Sequence, residues 1–147
     1  QGVAGLARNK KVIATNSENG AHPESMLVDG DLTLASSWWA TAPATATVDI
    51  GAPAVVAGFL LTTYWGDNRL YYQYTIDISE DGVTWTTVVD ESDNTKVAGP
   101  QGILYPIDGT VCRYVRLNML RNSVNSSVHV VELKVLSPDD MKTIEQQ

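Results

Sequence analysis

The chain has 147 residues and a net charge of −7, with 44% hydrophobic and 18% charged residues. That length suits one domain, which buries roughly 68–70% of its unfolded surface on folding, so a core can form without covalent staples. Ten basic residues spread thinly among seventeen acids leave no basic stripe to release counterions from phosphates, which argues against nucleic acid and against an anionic membrane surface. No apolar run approaches the roughly 20 residues of a membrane helix.

Taken in order, Gln1–Lys11 is small and mixed and predicts an opening edge strand, with Leu6 and Val12 as the first core contributors. The start at Gln1, without a methionine, reads as a segment excised from a longer protein. Asn16-Ser17-Glu18-Asn19-Gly20 is turn chemistry, and His22-Pro23-Glu24-Ser25-Met26-Leu27 predicts a short helical turn with proline preset at its start. An acidic stretch from Val28 to Trp39 follows, then an Ala/Thr-rich loop over 40–45. Thr47–Ile50 predicts a short strand ended by Gly51-Ala52-Pro53, and Val55–Thr63 a strand buried on both faces. Tyr72, Tyr74, Ile76 and Ile78 alternate with Gln73, Thr75, Asp77 and Ser79, the pattern of a strand with one buried face. Asp81-Gly82 supplies a turn and Val83–Val89 the returning partner, with Trp85 placed in the core. A polar connection over 90–102, a strand at Ile103–Ile107, a turn at Asp108-Gly109 and strands at Val111–Met119 and Val128–Leu136 complete the pattern. Short, closely spaced strands with no long helix favour a β-sandwich or jelly roll. Residues 1–136 are thus one module, and Ser137–Gln147, opening on a helix cap and a proline, reads as a linker or the lead into another domain. The lone Cys112 allows no internal disulfide and reads as a small buried hydrophobe.

The acidic stretch carries the first chemical hint. Asp29 and Asp31 flank Gly30 beside two serines and two tryptophans. Carboxylates drawn out of water need a cationic partner, and a metal ion supplies one.

Six segments together resemble the coagulation factor 5/8 type C, or discoidin, domain and, within it, the bacterial family 32 carbohydrate-binding modules. They are Leu6-Ala7 with Thr15-Asn16-Ser17, Val28–Asp31 followed by tryptophan, Val48–Gly51, Ile78–Trp85, Arg113–Leu117 and Val131–Val135. The resemblance implies an eight-stranded antiparallel jelly-roll β-sandwich. It also implies a structural calcium ion joining the acidic loop to the last strand. Its ligands would be the side chains of Asp29 and Glu132, the carbonyls of Met26, Asp31 and Val131, and a hydroxyl from Ser36 or Ser37. Calcium takes six to eight oxygens, and such mixed cages suit it. The family's loop has a Thr five and a Trp seven residues after the first Asp; here those positions are Leu34 and Ser36, with the tryptophans two residues later.

Family function sits on loops at one end of the sandwich. The loop Tyr64-Trp65-Gly66-Asp67-Asn68-Arg69-Leu70-Tyr71 offers aromatic faces for a pyranose with a carboxylate, an amide and a guanidinium for its hydroxyls. Arg121, Asn122 and Asn125 are placed to close the same site, and one of Trp38 and Trp39 belongs to the core while the other reaches the surface. His129 reads as a satisfied strand residue and His22 as the flank of a turn. Galactose-binding members place a histidine soon after the tryptophan and an asparagine five residues after the arginine. Here 40–45 lacks histidine and Tyr74 occupies the second position, which counts against the usual galactose site; the ligand is another terminal sugar or a galactose-type sugar held differently, or the site is degenerate.

These features predict a non-catalytic carbohydrate-binding module of a larger secreted or cell-surface bacterial protein, covalently linked to a catalytic domain such as a glycoside hydrolase. The alternative is a structural or protein-interaction discoidin domain that packs on its neighbour. A lipid-binding discoidin domain fits poorly with the charge and with a single cysteine. No Ser/His/Asp or Cys/His spacing or phosphate loop points to an enzyme.

Overall fold

The computed structural model describes residues 3–68 and 70–146. Seven strands run through the described residues: β1 (Lys11–Ala14), β2 (Trp38–Thr41), β3 (Ala44–Thr63), β4 (Tyr72–Ser79), β5 (Thr86–Glu91), β6 (Ile103–Asn122) and β7 (Ser127–Leu136). A 3₁₀ turn spans Glu24–Val28, and one helix, α1 (Pro138–Glu145), closes the chain. All pairings are antiparallel.

Two strands of 20 residues each build the sandwich by passing from one layer to the other. The first half of β3 pairs with β1 and with Tyr114–Met119 of β6; its second half pairs with Ile103–Cys112 of β6 and with β7. Sequence patterning predicts chain breaks at Gly51-Ala52-Pro53 and at Asp108-Gly109, yet both lie inside continuous strands. On β3 a register shift between Asp49 and Ala54 absorbs the break, with Gly51 at φ +98° and its amide bonded to Asp49 Oδ1. Such bulges bend a strand without ending it and tolerate proline. The four segments expected separately therefore merge into two strands.

Between the layers lie Ala46, Val48, Phe59, Leu61, Tyr72, Tyr74, Ile76, Leu117, Met119, Val128, Val130, Leu133 and Val135, each at most 2% exposed. The alternation read on β4 holds from Tyr72 to Ile76, whereas Asp77 and Ser79 on the other face are buried as well, and Leu6 and Val12 pack against this core from its margin. Cys112 is fully buried, and burial pushes its thiol up to about 11. Two expectations change. Residues 6–9 form a turn, so the opening edge strand begins only at Lys11. Trp85 lies outside the core, half-buried, with the Arg116 guanidinium carbon 4.1 Å from its ring centroid. The cause is Asp81: its carboxylate accepts the amides of Val83 and Thr84, which holds the turn open until β5 starts at Thr86.

Ser137 caps α1 in a capping box with Asp140, and Met141 is buried over Gly58. No helix among the described residues is long and apolar enough to cross a membrane.

Candidate functional site

The acidic loop is held against β7. Asp29 ends the 3₁₀ turn that contains Met26. One Asp29 oxygen accepts the Asp31 amide at 2.9 Å, and the other accepts a short hydrogen bond from the Ser36 hydroxyl. Gly30, at φ +81°, donates its amide to Glu132 Oε2 at 3.0 Å. Glu132 is 2% exposed, and its Oε1 is buried with no hydrogen-bond partner. Burial, only partly offset by the Gly30 amide and reinforced by the nearby Asp29 charge, pushes the Glu132 carboxyl up to about 8. Arg8 packs over Gly30 so closely that a Cβ there would stand 2.5 Å from its guanidinium carbon.

Two carboxylates, one of them with an orphaned oxygen, and a hydroxyl form an all-oxygen donor set, the chemistry that suits a hard cation such as calcium. Asp31 turns its side chain away, accepting the Thr33 amide and hydroxyl, so only its carbonyl remains for such a site. Of the two serines, Ser36 meets Asp29; Ser37 donates to the Leu34 carbonyl and accepts from Trp39 Nε1. Val131 sits at a register shift of β7, next to Glu132. No group of three or more His, Cys, Asp or Glu side chains gathers for a metal among the described residues, so any cage here would draw on the hydroxyl and main-chain carbonyls.

The second cluster lies at the end of the sandwich where β3, β5 and β6 give way to loops. Tyr71 and Ser123 tie the 64–71 loop to the 123–126 loop, through Tyr71 N–H to Ser123 Oγ at 3.0 Å and Ser123 N–H to the Tyr71 carbonyl at 3.1 Å. Ala98 N–H reaches the Leu70 carbonyl at 3.3 Å, and Asn94 Nδ2 the Tyr72 carbonyl at 2.8 Å, which adds the β5–β6 loop. The loops expected to share a site are therefore adjacent. A depression of about 400 Å³ beside them is lined by Ala42, Leu120, Arg121, Val124 and Asn125, among others.

Tyr64, Trp65 and Tyr71 are half-buried and Asn68 is exposed; Asp67 carries a further interaction within the protein. Arg69 lies outside the described residues. Trp65 Nε1 is buried and has no acceptor among the described residues. Arg121 is exposed and donates to Gln73 Oε1 at 3.2 Å, and the exposed Asn125 accepts from Asn122 and from the Ser127 amide. Asn122 requires a correction. It is 3% exposed, its Oδ1 accepts the Val124 and Asn125 amides, and its Nδ2 donates to Asn125 and to the Ser127 carbonyl. It braces the turn and has no group left for a ligand.

Of the two tryptophans, Trp38 is the core residue, fully buried with Nε1 shared between the Asn16 carbonyl and Ser17 Oγ, and Trp39 is half-buried at the loop end. The sequence reading missed what surrounds Trp39. His22 stacks on it at 4.0 Å and 4°, His129 meets it edge-on at 5.1 Å, and Tyr64 at 6.4 Å. Tyr72 joins through its hydroxyl, 2.7 Å from His129 Nδ1. Strand pairing sets Trp39 opposite His129, a relation that neither segment reveals by itself. A separate groove of about 290 Å³ near Glu80, Asp81 and Cys112 holds none of the predicted site residues.

The F5/8 type C domain model matches residues 11–133. The chain belongs to the F5/8 type C domain family. Over 99 residues this F5/8 type C domain is 28% identical to BTB/POZ domain-containing protein 9 of Rattus norvegicus, which covers 67% of the chain but only 16% of that protein. Among solved structures it resembles a pectin-binding carbohydrate-binding module, with TM-score 0.79 and 19% identity over 90% of this chain and 93% of that one. It also resembles a family 32 module produced by Clostridium perfringens, solved with GlcNAc-α-1,4-galactose, with TM-score 0.71 and 24% identity over 90% and 92% of the two chains. At these identities the likeness establishes a shared galactose-binding-like β-sandwich.

Proposed function

We propose that this F5/8 type C domain is a non-catalytic carbohydrate-binding module that takes a glycan at its loop end. One observation carries the reading. Half-buried Trp39 and Tyr64 meet there edge-on, and the loop that carries the half-buried Trp65 and Tyr71 and the exposed Asn68 is hydrogen-bonded to the segment that carries the exposed Arg121 and Asn125. Aromatic faces and fixed amide or guanidinium donors are what recognition of a pyranose and its hydroxyls requires. The solved neighbours that bind pectin or GlcNAc-α-1,4-galactose support the reading by analogy.

In the same reading a calcium ion is held by Asp29, Ser36 and Glu132 with the carbonyls of Met26, Asp31 and Val131. Bound there, the ion would neutralise two carboxylates and clamp the acidic loop to β7. It would act on recognition only through support, since Leu34 of that loop packs close to Gly66 of the 64–71 loop. The module is assigned to a secreted or cell-surface bacterial protein in which it holds a linked catalytic domain near its substrate.

The test is a broad array of plant and host glycans followed by titration at millimolar sugar. Binding abolished by Trp65→Ala supports the proposal. Silence on every glycan, together with a large interdomain footprint over the 64–71 loop in the full-length protein, would instead establish a packing domain.

A further inference from the structure

Hydrogen-bond geometry gives the two histidines flanking Trp39 opposite tautomers in their neutral forms. His22 Nδ1 lies 2.8 Å from the Ser37 carbonyl, which can only accept, so Nδ1 carries a proton and, in the neutral ring, Nε2 presents a lone pair. His129 Nδ1 lies 2.7 Å from the Tyr72 hydroxyl. Tyr72 is 1% exposed and its hydroxyl has no other partner among the described residues, so it donates to Nδ1 or stands as an unpaired buried donor. The proton of His129 is therefore on Nε2. Neither Nε2 meets a protein partner among the described residues, and neither is among their buried unpaired atoms.

We propose that His22 and His129 form a complementary pair at the loop-end site, one Nε2 accepting and the other donating, which reads sugar hydroxyls and selects neutral saccharides over anionic ones. The proposal rests on the glycan-binding reading above. A hydroxyl both donates and accepts, so adjacent hydroxyls of a pyranose satisfy both nitrogens. A carboxylate or sulfate only accepts and would leave the His22 lone pair facing a negative charge. One carboxylate beside His129 acts in the same direction and opposes the Arg121 guanidinium of the same loop end. Glu18 is bound to the hydroxyls of Thr41 and Ser127, beside His129, and its carboxylate repels an anion. Arg121 points its guanidinium at Gln73. Burial holds His129 below the ordinary imidazole range, which keeps it neutral at pH 7. The stacked Trp39, with its own Nε1 on Ser37 Oγ, locks the His22 ring in place.

The test is nuclear magnetic resonance of the chain labelled with nitrogen-15, at pH 7.5. It is titrated with methyl β-D-galactopyranoside, methyl α-D-mannopyranoside, methyl N-acetyl-β-D-glucosaminide and D-galacturonate. The ring nitrogens should report the Nδ1–H form for His22 and the Nε2–H form for His129. At least one neutral glycoside should shift both Nε2 resonances, with galacturonate at least tenfold weaker. His22→Phe should lose about tenfold in affinity for that glycoside with the His129 tautomer unchanged. Either tautomer reversed, or galacturonate binding as tightly as the neutral probes, overturns the pair. Amide shifts over 64–71 without movement at either histidine overturn the pair and leave the glycan reading standing; no shift with any of the four probes overturns the pair, and the glycan reading then stands or falls on the broad array.

Discussion

The Gly30 amide donates to Glu132 Oε2 at 3.0 Å across 102 positions of chain, which joins the acidic loop to the last strand. The other Glu132 oxygen is buried and unpaired among the described residues, and the proposed calcium would complete this contact. Calcium should therefore raise the melting temperature relative to excess chelator. At a hundredfold excess over Kd the gain is about 2.7 kcal/mol, roughly 5–10 °C at this chain length. Glu132→Gln should abolish the difference. Equal melting curves for the native chain in calcium and in chelator would count against the ion.

Glu132 also predicts a pH dependence in chelator. Its folded-state pKa, pushed up to about 8 by burial, lies above the ordinary 4.5, so folding favours the neutral acid. That contribution is fully present below pH 4.5 and is lost as pH rises towards about 8. Denaturant midpoints of the metal-free chain should fall across this window, and the Glu132→Gln slope should be flatter. A midpoint that rises across the window would contradict the account.

Asp77 gives the opposite sign. Burial pushes its carboxyl up, but hydrogen bonds from Thr87 Oγ1, Asn118 Nδ2 and the Arg116 guanidinium outweigh burial and hold it below the usual range. Its stability contribution is present above the unfolded value of 3.8 and is lost as pH falls below it. Arg116 is half-exposed, so removing the Asp77 carboxylate leaves unsatisfied hydrogen-bond donors rather than a buried charge, at a cost of about 1–3 kcal/mol, and Asp77→Ala should lower the chemical denaturation midpoint by a corresponding amount. Glycan binding, at the far end of β4, should survive where the variant is folded.

Local patterning made most of this fold legible. The Tyr72–Ile76 alternation, the Ser137 cap and the Asp81-Gly82 turn are all written within a few residues of chain, and the structure keeps them. What escaped depends on pairings distant in sequence. The breaks at Gly51-Pro53 and Asp108-Gly109 look like strand ends until β3 and β6 lie side by side and a bulge carries the chain through. Trp85 has the composition of a core residue, but the open turn before it leaves it under Arg116. At the site, the Tyr64–Tyr71 loop and the Arg121–Asn125 segment are visible as aromatic and polar clusters. The Asn122 amide is consumed by its own turn, and the roles of His22 and His129 emerge only when β2 and β7 pair around Trp39.

The loop-end site predicts graded effects. Trp65→Ala and Tyr64→Ala remove aromatic area and should each weaken glycan binding at least tenfold. Arg121→Ala should weaken it less, because its guanidinium already bonds Gln73. Asn122→Ala acts through folding of the turn and should lower stability before it changes specificity.

The central claim is that the loop end binds a glycan. Its most direct test is calorimetric titration of the best array glycan into the native chain, Trp65→Ala, and a control at the opposite end, Val83→Ser, where Val83 is 79% exposed. The account predicts saturable binding by the native chain and the control alike, and at least a tenfold loss with Trp65→Ala in a chain that is still folded at the titration temperature. Equal affinity of all three chains would contradict it.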